Sequence, residues 1–159
     1  MVTPVPAIKP LLQAFYGHAM CAPPVRFNRF EFQAMSHKYG QMAVALHMNG
    51  QRFADESAGT GEELPNSRIA LQPGCRAVYV FDAVVGERAL EGSPLARVVA
   101  DRARQAGALV LQTNSLEDLA RQLDEWGLPP AVALRAMQAY NEAMASQDRQ
   151  ALLPPRHTH

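Results

Sequence analysis

The chain has 159 residues, a formal net charge of zero, 48% hydrophobic residues and 19% charged residues. That size suits one domain with a real core, and the charge balance carries no nucleic-acid footprint. No stretch approaches the ~20 apolar residues of a membrane helix, and MVTPVPAIKP has neither the basic start nor the apolar run of a signal peptide. Two cysteines, Cys21 and Cys75, are too few for a disulfide framework, so a cytoplasmic protein with reduced, buried cysteines is expected. The zero net charge gives little protection against self-association, and a homodimer is an expected state.

Residues 1–38 read as an irregular lead-in. Prolines at 4, 6, 10, 23 and 24 interrupt any long helix, leaving room for short ones over Ile8 to Tyr16 and Phe30 to His37. Apolar side chains at 42, 44, 46 and 48 then alternate with period two, the pattern of a half-buried strand. Asn49-Gly50 follows, a strong hairpin signal because both residues tolerate positive φ, and Gln51 to Ala54 reads as the returning strand. Gly59 to Leu64 reads as a loop.

Arg76 to Asp82 is almost continuously apolar and predicts an interior strand covered on both faces. Ser93-Pro94 supplies an N-cap and an N1 proline. The stripe Leu95, Val98, Val99, Arg102 and Ala106 predicts a helix that Gly107 closes. Ala108 to Gln112 predicts a short strand. Ser115 to Asp118 has the spacing of a capping box, with Leu116, Leu119, Ala120 and Leu123 on one helical face and Gly127 at its end. Pro129-Pro130 opens a last helix whose buried stripe is Ala133, Met137, Tyr140 and Met144. The C-terminal segment, 147–159, reads as a polar tail outside the domain. The sum is an α+β domain over 39–146, with a small antiparallel or mixed sheet and helices packed against it.

Few residue patterns carry chemistry by themselves. Gly59-Thr60-Gly61 does not form a dinucleotide fingerprint, because Leu64 stands at the third glycine position and Glu62 and Glu63 would repel a pyrophosphate. His157-Thr158-His159 lacks the further ligands and supporting groups of a metal site, so no metal is expected. His47 alternates with the apolar face of its strand and is expected to face solvent or a partner. No residue pairs with Cys75 as a nucleophile's base, and neither a G-x-S-x-G elbow nor a P-loop occurs. Asp55-Glu56, just after a strand, stands out as an acidic pair at an element boundary.

Tyr39 to Asp82 resembles the substrate-capping domain of FAD-dependent oxidoreductases of the fumarate reductase/succinate dehydrogenase flavoprotein type. The resemblance rests on Gly50, Arg52, Phe53, Asp55 and Glu56, which follow the form G-x-R-F-x-(N/D)-E, then Arg68 to Gln72, then Tyr79 to Asp82. GHAMCAPPVRF at 17–27 is similar to the segment leading into such caps. NSLEDLARQLDEWGL and PPAVALRAMQAYNEAM resemble the paired helices that end in Tyr140-Asn141. LLPPR at 152–156 resembles the point where such chains re-enter the flavin domain.

The resemblance implies a cap that closes over FAD and excludes water while the flavin moves a hydride to or from a carbon next to a carbonyl or carboxylate. It implies that Asp55 and Glu56 lie at the cap–flavin junction, where a carboxylate either bonds cofactor or substrate hydroxyls or braces the loop. It implies that His18 is a catalytic candidate near the substrate. The flavin-binding portions have no counterpart in this chain, so FAD is expected in the intact enzyme but not tightly bound here, and a separate FAD-binding domain or subunit is the expected partner. The arginine that fumarate reductases place soon after the acidic pair has no counterpart between Ser57 and Gly61, so the likeness does not extend to fumarate as substrate. A non-enzymatic, self-associating or partner-binding module derived from such an enzyme is the alternative.

Overall fold

The apolar alternation before Asn49 folds as a strand, β1 (Val44–His47), whose first three residues are buried on both faces. A computed structural model describes residues 41–57, 68–69, 71–88, 95–105 and 109–157. β1 pairs antiparallel with β2 (Ala77–Val80), in a register running from Val44 opposite Val80 to His47 opposite Ala77. Among the described residues these two strands make the sheet. The α-helices whose bounds fall among the described residues are α1 (Ala83–Glu87), α2 (Ala96–Gln105), α3 (Leu116–Leu123) and α4 (Pro130–Ser146). The architecture is therefore α+β with a small antiparallel sheet, as the sequence implies. The helices expected over 8–16 and 30–37, the Gly59 loop and the Ser93-Pro94 cap lie outside the described residues.

Asn49-Gly50 makes the expected tight turn. Gly50 donates its N–H to His47 O at 2.8 Å, His47 N–H donates to Gln51 O at 2.8 Å, and Asn49 Oδ1 accepts from Gln51 N. The returning strand does not form. A single bridge links Leu46 to Arg52, because the Arg52 side chain turns inward to a carboxylate four residues on and the chain leaves the sheet. Gly50 also has a packing role. Its φ is 84°, and a Cβ there would lie 2.9 Å from the amide nitrogen of Ala133 in the first turn of α4.

β2 differs from the interior strand expected. Its second half, Tyr79 and Val80, is half-buried, and Phe81 is exposed. The cause is local, since Asp82 accepts from Val85 N at 2.8 Å and so caps α1 directly after the strand. Ala108 to Gln112 also fails to form a strand over its described part. There Leu111 packs against the helical core instead.

Helices α3 and α4 follow their signals closely, α1 was not expected, and the Gly107 closure expected for α2 lies outside the described residues. Ser115 Oγ accepts from Asp118 N at 3.1 Å at the start of α3, an interaction worth about 1 kcal/mol. A single 3-10 turn, Asp124–Trp126, leads to Gly127 at φ 86°, which closes the element. Leu128 then donates back to Leu123 O. Pro130 opens α4, which buries Ala133, Met137, Tyr140 and Ala143. The core is the seam between these two helices and the sheet, with Leu46, Leu123, Leu128 and Met137 fully enclosed.

Residues 147–157 are more than a polar tail. After Gln147, which ends α4 at φ 62°, a turn over Arg149–Ala151 brings the chain back across the core. Leu152 and Arg156 are both buried there.

Two of the positive-φ glycines, Gly50 and Gly127, separate backbone strain from packing. Gly127→Ala, with nothing within 4 Å of the new Cβ, is expected to cost about 1–2 kcal/mol, the left-handed penalty of an L-residue. Gly50→Ala pays that penalty and also pushes on the α4 backbone, so urea denaturation should show a larger loss for it. Equal losses would mean that α4 yields freely.

Candidate functional site

The most concentrated polar chemistry lies where the turn after β1 meets the returning C-terminal segment. Glu56 is at its centre. Its Oε1 accepts from Ala45 N and from Arg52 Nε, both at 3.0 Å, and its Oε2 accepts from Arg52 Nη2 at 2.6 Å. Arg156 Nη1 stands 3.5 Å from the same Oε2. The Glu56 carboxylate is fully buried, and both guanidiniums are nearly so. Burial of these charges is tolerable because each is paired and hydrogen-bonded.

The arginines use their remaining donors on backbone carbonyls. Arg52 bonds Ala54 O and, at 2.7 Å, Pro154 O. Arg156 bonds Gln41 O at 2.6 Å. The Tyr140 ring lies near both, with the guanidinium carbons 5.5 and 5.7 Å from its centroid. That distance allows the ring's negative face to offset the cationic excess of two arginines on one carboxylate. Burial pushes the Tyr140 hydroxyl above its ordinary range, Arg156 opposes this and Glu56 adds to it. Burial followed by the Glu56 charge raises Tyr79 likewise. Both phenols therefore stay protonated.

Asp55 faces the other side of the loop. Its Oδ1 accepts from Ser57 N at 2.9 Å and from Ser57 Oγ at 2.6 Å. Its Oδ2 accepts from His157 N at 3.2 Å and lies 2.6 Å from His157 Nδ1. Burial alone would raise its pKa, but the bonds from Ser57 and His157 win and hold it at about 2.

Both carboxylates of the acidic pair brace the loop, and the structure brings them within one cluster. Neither offers an oxygen for a direct flavin contact, since Glu56 is enclosed and each Asp55 oxygen is already engaged by Ser57 or His157. His18 lies outside the described residues. Arg52 was legible only as a motif position, not as the ion-pair partner of Glu56. Arg156, His157 and Tyr140 were not, because they come from about 100 residues away and no local pattern announces such a pairing. His47, expected to face solvent or a partner, is half-buried. Its Nδ1 accepts from Asn49 N at 3.1 Å, while Nε2 is buried without a hydrogen-bond partner among the described residues. Among the described residues, no group of three or more His, Cys, Asp or Glu side chains is placed to hold a metal, and no helix is long and apolar enough to cross a membrane.

Glu56→Gln leaves two buried guanidiniums without their charge partner and is expected to cost roughly 3–5 kcal/mol. Arg121→Ala, which breaks an exposed pair with Asp118, should cost under about 1 kcal/mol in the same urea series. A Glu56→Gln loss no larger than that of Arg121→Ala would remove Glu56 from the centre of the fold. Asp55 supplies a pH signature. Its folded-state pKa is depressed, so its stabilisation is complete above the ordinary carboxylate range and is lost as pH falls toward about 2. The span is about 2 kcal/mol. Stability measured from pH 6 down to 2 should fall less steeply in Asp55→Asn than in the wild-type protein.

Compared with protein-family models, curated proteins and solved structures, the chain matches none.

Proposed function

We propose that residues 41–157 form the substrate-capping module of an FAD-dependent oxidoreductase of the fumarate reductase/succinate dehydrogenase flavoprotein type. The observation that carries this reading is the closure of the fold on itself. Arg156 donates to Gln41 O at 2.6 Å across a sequence separation of 115 residues, so two segments far apart in the sequence are held side by side. Insertion into a neighbouring domain is tolerated where the two crossings lie close together at the surface. The order of the sequence motifs agrees, with GHAMCAPPVRF before the clamp and LLPPR running into it.

In this reading the flavin-binding domain is a separate partner, and FAD bound there supplies the hydride chemistry. This chain covers the substrate and excludes water. Glu56, Arg52 and Arg156 hold the entry and exit segments side by side, which gives a cap a stiff base from which to move. Exposed Leu71, Val84 and Leu153 offer apolar surface for a neighbour to cover. These same side chains favour the second reading, a partner-binding module derived from such an enzyme that has no catalytic role.

Visible spectra after gel filtration test both. The purified chain mixed with FAD should elute colourless. Mixed with the separately produced flavin-binding half of such an enzyme, it should comigrate as a yellow complex and restore reduction of a dye acceptor. A flavin band retained by the chain alone would overturn the division between cap and cofactor domain. Comigration without turnover would leave the partner-binding reading, and no comigration would remove both.

A further inference from the structure

We propose that His157 and Asp55 form an acid–base dyad whose working atom is His157 Nε2, which takes a proton from, and returns it to, a ligand carrying an acidic C–H or O–H group. The inference stands on the geometry of these two side chains and does not depend on the capping reading.

Three observations carry it. The first is the direction of the hydrogen bond. An ionised carboxylate only accepts, so the 2.6 Å contact to Asp55 Oδ2 requires the proton on His157 Nδ1. In the neutral ring that leaves Nε2 as the acceptor. The second is rigidity. His157 N–H donates to the same Oδ2, and Ser57 fixes the opposite oxygen through its amide and its hydroxyl, so neither partner of the dyad is free to turn. The third is the division of exposure, with the His157 side chain 72% exposed and that of Asp55 only 7%. A buried carboxylate thus orients an imidazole that is open to a ligand.

The chemistry balances without a co-reactant. A proton passes from the ligand to Nε2 and its electron pair stays on the ligand. The imidazolium that forms has its charge offset by Asp55, and the return step reverses the transfer. Ser57 is not a nucleophile in this arrangement, because its hydroxyl donates to Asp55 and not to the ring. The charged groups packed behind the dyad are Glu56, Arg52 and Arg156, which engage one another in the interior. Asp55 is a positioning residue, and His157 is the group that would touch the ligand.

The test uses the intact chain and no flavin, so its outcome is independent of the capping proposal. Nitrogen-15 NMR of the neutral His157 ring, assigned by comparison with His157→Gln, should find the proton on Nδ1 and Nε2 bare. Acylation of His157 by diethyl pyrocarbonate, followed by peptide mass, should slow by about tenfold or more in Asp55→Asn. There a carboxamide N–H faces Nδ1 and moves the ring proton to Nε2, as an Asp-to-Asn exchange does in an Asp–His pair. A ring that Asp55 did not hold through Nδ1 would show neither effect. A wild-type ring protonated on Nε2, or an acylation rate unchanged in Asp55→Asn, would overturn the dyad. The wild-type tautomer decides the matter even if Asp55→Asn does not fold.

Discussion

A single buried carboxylate constrains this fold. Glu56 accepts the amide of Ala45 on the edge of β1 that β2 leaves open, so it takes a place that a third strand would otherwise hold. Once there, it is a charge in the interior and must be neutralised. Arg52 does this locally, and Arg156 brings the far end of the chain to the same point. The inward turn of Arg52, the loss of the returning strand and the docking of 152–157 all follow from that one placement. Among the described residues the sheet keeps two strands, with helices α3 and α4 supplying apolar cover and this charged cluster standing at the open edge of β1.

Much of the helical half was legible in the sequence because its determinants are local. The Ser115 cap, the left-handed Gly127 and the proline start of α4 are decided within a few residues, and the stripe at 133, 137 and 140 records one packed face. The sheet half was less legible. Strand propensity over 51–54 and 109–112 lost to tertiary partners, with Arg52 drawn to Glu56 and Leu111 drawn to the helical core. The apolar run 76–82 was long enough for an interior strand, yet Asp82 ended it by capping the next helix.

The site shows the same division. Arg52 drew notice as a motif position and the acidic pair by its place after a strand, but nothing in the sequence joined the two. The resemblance brings LLPPR at 152–156 to the same junction, but no local pattern pairs Arg156 with Glu56 or His157 with Asp55, since they sit among residues whose composition reads as solvated. Their meaning comes from distance in space and not from spacing along the chain. Tyr140 is a further case. Its helical stripe marked it as core, but the stripe does not say that its ring would lie beside two guanidiniums.

Closure of the lock has a consequence for how the protein is made. The carboxylate and its second arginine are 100 residues apart, and at 5–20 residues per second a ribosome needs roughly 5–20 s to deliver one after the other. During that interval the turn after β1 is already synthesised while Arg156 and Leu152 are not. The N-terminal part of the unit must therefore wait in an unfinished state, with a core surface uncovered and the second cation missing. Contacts of such separation also slow folding in general, because loop closure precedes its reward. The last residues of the fold are thus the ones that commit it, and a chain halted before them would carry its central charge only partly neutralised.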